Sequence, residues 1–241
     1  MFQEVLKDNI SVKWITTLEQ KLFDTENKDI ENDYVGEVLP QLEMILQEYP
    51  TKNKLEKQIS TILHNLTDTS DKNGQKFEQG HMELGKILGY ISKNKNSEGA
   101  PDPYWIIDDM CIVSEDKIYR SEKEIPICDA REVATHRKWM EQNEPLITKK
   151  TKIYTVLISN SQKLDLDAKH IVDDIYFLNY EEFVEWARRA LTTIRNIHST
   201  FVEEGNCEWR QAAYHELKKN GVTPLDFLKL ISKTLLKDIC V

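Results

Sequence analysis

Two carboxylates and an ammonium stand out in this chain of 241 residues: Asp102, directly after Pro101, and then Glu115 and Lys117, with Asp116 between them. Side chains alternate along a β-strand, so Glu115 and Lys117 share one face and Asp116 takes the other. The apolar runs PYWIID and MCIVSED flank Asp108-Asp109 closely enough to form a hairpin. Pairing them sets the start of the first run beside the end of the second, which carries Asp102 toward Glu115. Two oxygen donors are what a hard cation such as Mg²⁺ takes from a protein, with water and substrate phosphate completing its octahedron. Such an ion activates water and neutralises charge on phosphate, while a neighbouring lysine orients the water or stabilises the developing charge. The arrangement suits phosphodiester hydrolysis. Asp116, at the same strand end, adds a third carboxylate to the candidate metal set of Asp102, Glu115 and Asp116.

The elements that must position these residues read as a mixed α/β domain between two helical regions. Residues 1–70 carry apolar side chains at helical spacing: Trp14, Ile15, Leu18, Leu22 and Phe23, then Val38, Leu42, Ile45 and Leu46, then Leu55, Ile59, Ile62, Leu63 and Leu66. The polar run TDTSDKNGQ closes this region. A helix over Phe77–Leu88 stops at Gly89, and a short extended piece at Tyr90-Ile91 precedes the hairpin. Asp129 can cap a helix running to about Gln142. The β-branched run IYTVLIS and the shorter IYFL are strands, followed by a helix at Glu181–Ile197. Residues 201–241 return to helix, with Trp209–Leu217 in one and Pro224 opening the last. The organisation expected is a helical region at 1–70, an α/β core at 71–200 and a helical extension at 201–241.

Pro101-Asp102, twelve residues, and Glu115-Asp116-Lys117 together resemble the PD-(D/E)XK pattern of restriction-endonuclease-like nucleases. The flanks carry the likeness further. Phe77-Glu78, Leu84-Gly85-Lys86, Leu88-Gly89-Tyr90 and Gly99-Ala100 look like the helix and strand that precede the motif, and DAREVATHRKW at 129–139 is similar to the helix that follows it. IYTVLIS and DIYFLNYEEFVEWA resemble the next elements, so the likeness covers about 76–200. It implies an αβββαβ core on a mixed central sheet, with Asp102 and Glu115 binding Mg²⁺ or Mn²⁺ and Lys117 assisting the water. It also implies that Glu78 is a further acidic catalytic position. Where relatives often carry Gln on the following helix, this chain has Glu132.

The formal net charge is −9, which argues against binding nucleic acid through bulk electrostatics. Residues 1–70 hold 7 Lys and Arg against 13 Asp and Glu, and the other 171 hold 25 against 28, so the acidity belongs mostly to the amino-terminal region. The stretch 131–152 is the candidate phosphate-contacting surface, with Arg131, Arg137, Lys138, Lys149 and Lys150. His136 joins that set. Positions 132, 136 and 139 share one helical face, which turns His136 either toward the site or onto Trp139. Trp139 and Trp186 read as core aromatics. The four cysteines have no metal-ligand spacing, no run is long enough to span a bilayer, and the start lacks a signal pattern, so a cytoplasmic protein is expected.

The function expected is a Mg²⁺-dependent endonuclease acting on DNA, less so on RNA. Residues 1–70 would serve for homodimerisation or for docking a partner such as a helicase or a defence-system subunit. The rival reading is an interaction scaffold on a nuclease-like fold, working through its acidic helical amino-terminal region.

Overall fold

A computed structural model of the chain describes residues 35–68, 70, 74–95, 99–119, 121 and 123–239. The expected helix around Trp14–Phe23 lies outside them. Among the described residues, three helices come first: α1 (Val35–Glu48), α2 (Lys52–Thr67) and α3 (Gln75–Ile87). Then follow β1 (Ile91–Lys93), β2 (Tyr104–Ile107), β3 (Met110–Lys117), α4 (Ile127–Asn143), β4 (Lys152–Ser159) and β5 (Ile175–Asn179). A 3₁₀ turn at Leu166–Ile171 lies in the β4–β5 crossover, and α5 (Tyr180–Ser199), α6 (Cys207–Lys219) and α7 (Pro224–Ile231) complete the chain.

The strands form one five-stranded sheet in sequence order. β1, β2 and β3 pair antiparallel as successive hairpins, and β3, β4 and β5 pair parallel. Asp108 makes the β2–β3 turn with a positive φ of 48°, a conformation that Asp tolerates better than most residues. The α/β class and mixed sheet are those expected. Gly89, at φ 90°, ends the turn after α3 as the sequence suggests. Asp129 is not the cap of α4: the helix begins after Pro126, and Asp129 sits in its first turn, accepting a 2.6 Å hydrogen bond from the Tyr119 hydroxyl.

Alternation along the strands divides the molecule into two layers. Cys111 and Val113 of β3, with Tyr104, Ile106 and Ile153, pack under Met140 of α4. Ile112 of β3, with Trp105, Val156 and Ile158, faces the opposite way into the larger core built by α1, α2, α3, α5, α6 and α7. α1 and α2 do not stand apart from the α/β domain. Their Leu39, Leu42, Leu46, Leu55, Ile59 and Ile62 are wholly or nearly wholly buried in that shared core. Glu43 of α1 also takes a two-pronged ion pair from Arg210 of α6, at 2.8 and 2.6 Å, with both side chains buried. Removing either partner strands the other charge, at a cost of about 3–5 kcal/mol. Residues 35–67 are therefore part of one folding unit with the sheet.

An aromatic cluster sits between α3 and the sheet. The Trp105 ring lies 4.9 Å from His81 and 5.1 Å from Phe227, and Trp186 stacks on Phe227 at 4.2 Å. Gly85 makes room for it, because a Cβ there would come within 2.3 Å of Trp105 Nε1.

Candidate active site

The hairpin ladder runs past the end of β2. Asp102 N–H donates to the Ser114 carbonyl at 3.1 Å, and Ser114 N–H donates to the Pro103 carbonyl at 3.0 Å. Asp102 and Pro103 both bond Ser114, the residue before Glu115 on β3, so the ladder places Asp102 at the β3 end. Asp102 lies near enough to Glu115 and Lys117 for their charges to act on its carboxyl.

Glu115 is buried, and both of its oxygens are engaged. Lys117 Nζ lies 2.5 Å from Oε1, and His136 Nε2 hydrogen-bonds Oε2. The same ammonium lies 3.0 Å from Oε2 of Glu132, a side chain that is largely open to solvent. Burial pulls the Lys117 ammonium down, but the charges and hydrogen bonds of Glu115 and Glu132 outweigh it and hold its pKa above the ordinary value. Lys117 is therefore a fixed cation between two carboxylates.

The acids around it are under mutual repulsion. Burial, reinforced by Glu115, pushes the Asp102 carboxyl up to about 6, against the pull of Lys117 and His136. Glu78, in the first turn of α3, rises to about 7 through burial and then the charge of Asp102, although Asn94 Nδ2 donates to it at 3.4 Å.

Asp116 does not join the metal set. Strand alternation turns it to the α3 face, where His81 Nδ1 lies 2.9 and 3.2 Å from its two oxygens and both side chains are sealed from solvent. Burial raises the Asp116 carboxyl well above its usual range and lowers the His81 imidazole to about 3. Both shifts favour a neutral hydrogen-bonded pair over an ion pair, and a carboxyl committed in this way is a core bond between β3 and α3.

The nucleic-acid set divides. His136 is wholly buried against Glu115 and presents nothing to a phosphate backbone. Arg137 aims its guanidinium at the Ile153 carbonyl, 2.7 Å away, and borders a groove of about 680 Å³ lined also by Glu141, Lys152, Tyr154 and Tyr176. Arg131 and Lys138 are exposed on α4. Lys149 and Lys150 sit in a threonine-bracketed turn before β4. Glu115 pairs with Leu157, five residues beyond Lys152, so at about 3.3 Å per residue that turn is some 16 Å or more from the acids. Arg131 thus shares the acids' end of the sheet, and the lysine pair holds the other.

The shared helical face of Glu132 and His136 brings both to the β3 end. Nothing comparable marked His81, an ordinary-looking helix position.

The donor set fits a hard divalent cation. The carboxyls of Glu78, Asp102, Glu115 and Glu132 are answered by the Lys117 ammonium and the His136 imidazole, which leaves an excess of negative oxygen. Among the described residues no three His, Cys, Asp or Glu side chains converge as a ready-made cage. Among the described residues, too, no helix is long and apolar enough to cross a membrane.

No protein-family model matches the chain, and no curated protein is similar to it. Among solved structures, it is similar to the small subunit of the heterodimeric restriction endonuclease R.BspD6I, at 13% identity and a TM-score of 0.39, over 66% of this chain and 98% of that one.

Proposed function

We propose that this chain is a Mg²⁺-dependent endonuclease that hydrolyses phosphodiester bonds of DNA. The observation that carries the reading is the grouping at the β3 end: Asp102 bonded to Ser114, next to Glu115, with the Lys117 ammonium paired to Glu115. Asp102 and Glu115 are the residues that would hold the ion, and Mn²⁺ would serve in the same place. When bound, it would supply Lewis-acid charge to the phosphoryl oxygens and make its bound water more acidic than bulk water. Lys117 stays charged throughout the physiological range and lies where it can orient the attacking oxygen and stabilise charge growing on the phosphoryl group. Glu78, with a pKa near 7, is placed to take up a proton at working pH. Arg131 and Lys138, exposed on α4, offer contacts to the flanking backbone. The proposed setting, defence against foreign DNA as a homodimer or beside a partner protein, rests on the family resemblance alone.

The test incubates the protein with plasmid DNA and with structured RNA, each with Mg²⁺ or Mn²⁺, beside Glu115→Ala. Cleavage of DNA that needs the metal and is lost in Glu115→Ala is the expected result. Cleavage of RNA alone would reassign the substrate. Absence of cleavage together with absence of Mn²⁺ binding would turn the reading to an interaction scaffold.

A further inference from the structure

The buried face of α4 runs Ala130, Val133, His136, Met140. An aliphatic residue at 136 would complete it. Instead an imidazole lies there with none of its surface exposed. Its Nε2 reaches Oε2 of Glu115, and its Nδ1 is buried with no hydrogen-bond partner. Burying an unpaired nitrogen costs stability that a leucine would not. The imidazole is kept, so the bond it does make has to be worth that cost.

That bond acts on orientation. Glu115 is already attracted to Lys117 through Oε1, a contact that would let the carboxylate swing with a flexible lysine. His136 anchors the other oxygen from a rigid helix inside the core. With one oxygen held from within and the other from the open side, the orientation of the carboxylate plane is fixed.

We propose that His136 is a positioning residue: it clamps Oε2 of Glu115 so that this carboxylate and that of Asp102 are presented together to one divalent cation. The proposal rests on the metal-site reading above. Outer hydrogen-bond partners of ligating groups typically control metal affinity by roughly 10–100-fold.

Calorimetric titration of the metal-free protein with Mn²⁺ tests it without any substrate. The comparison sets the parent beside Glu115→Gln, His136→Gln and His136→Asn. A glutamine amide extends about as far from the backbone as Nε2 of the imidazole, whereas an asparagine amide stops near the position of Nδ1. His136→Gln should bind Mn²⁺ within a few-fold of the parent, and His136→Asn should bind roughly 10–100-fold more weakly. Equal affinities for the two amides overturn the clamp while leaving the metal site standing. Unchanged Mn²⁺ binding in Glu115→Gln sinks the site reading and the clamp with it.

Should either amide fail to fold, Glu115→Asp breaks the same bond from the other side. Its loss of Mn²⁺ affinity should then absorb the effect of His136→Leu, so that the double variant is no weaker than Glu115→Asp alone. Additive losses would overturn the proposal.

Discussion

Replacing Asp102 by Asn asks whether the β3 end is electrostatically strained when no cation is bound. The Asp102 carboxyl is lifted from an ordinary 3.8 to about 6, by burial first and then by Glu115. The folded protein therefore holds this proton more tightly than the unfolded chain does, and ionisation of Asp102 costs stability. The penalty is absent below about pH 4, grows between 4 and 6, and is complete above 6. Two pH units correspond to about 3 kcal/mol at full strength. The side chain is partly open to solvent, and screening reduces that to about 1 kcal/mol.

Asparagine keeps the shape and removes the charge. In EDTA at pH 8 the Asp102→Asn protein should melt roughly 2–4 °C above the parent, the shift that about 1 kcal/mol gives in a chain of this size. At pH 4 the two should melt together. Adding Mn²⁺ at pH 8 should raise the parent's Tm and leave the variant's unchanged, because a ligand stabilises only the form that binds it. A variant that melts below the parent at pH 8, or that shows the same gain at both pH values, would refute the account of this site as repelling acids.

Lys117→Ala should abolish cleavage in single-turnover assays and leave Mn²⁺ affinity equal or higher, since it removes a cation that competes for Glu115. Parent-like cleavage would remove Lys117 from the mechanism. Gly85→Ala forces a methyl into the Trp105 indole and should destabilise the fold by about 2 kcal/mol, seen as a lower urea midpoint with unchanged slope. Lys149→Ala with Lys150→Ala, at the far end of the sheet, should leave the single-turnover rate at saturating DNA unchanged. The same pair should reduce the salt dependence of binding by up to about two contacts' worth, and an unaltered salt slope would place both lysines outside the footprint.

Period and punctuation made most of the fold legible. The strands at 104–107, 110–117, 152–159 and 175–179 follow from alternation and β-branching, and the turns at Asp108 and Gly89 follow from residues that accept positive φ. The tertiary role of the first helices was not legible. The spacing of Val38, Leu42 and Leu46 announces an apolar face, but only packing reveals that α3 and α6 cover it. The Glu43–Arg210 pair that fastens α1 to α6 joins residues 167 positions apart, beyond any local pattern. The scatter of the basic residues has the same origin: α4 and its following turn span the sheet from end to end, so a cluster that is contiguous in sequence is distributed in space.

The site shows where alternation suffices and where it does not. Glu115 and Asp116 are consecutive and must point apart, and each meets a histidine from a different helix, His136 from α4 and His81 from α3. Parity alone makes these two carboxyl–imidazole pairs look equivalent. What separates them is the neighbourhood. Phe183 and Trp105 close over His81, with ring centres 4.6 and 4.9 Å away, and the Asp116 pair is dry and uncharged. On the other face, Lys117 keeps 24% of its side chain in solvent and Glu132 keeps 47%, so Glu115 sits at the inner edge of an opening. One carboxyl is thereby left to hold helix to sheet, and its neighbour lies just beneath the partly exposed Lys117 and Glu132.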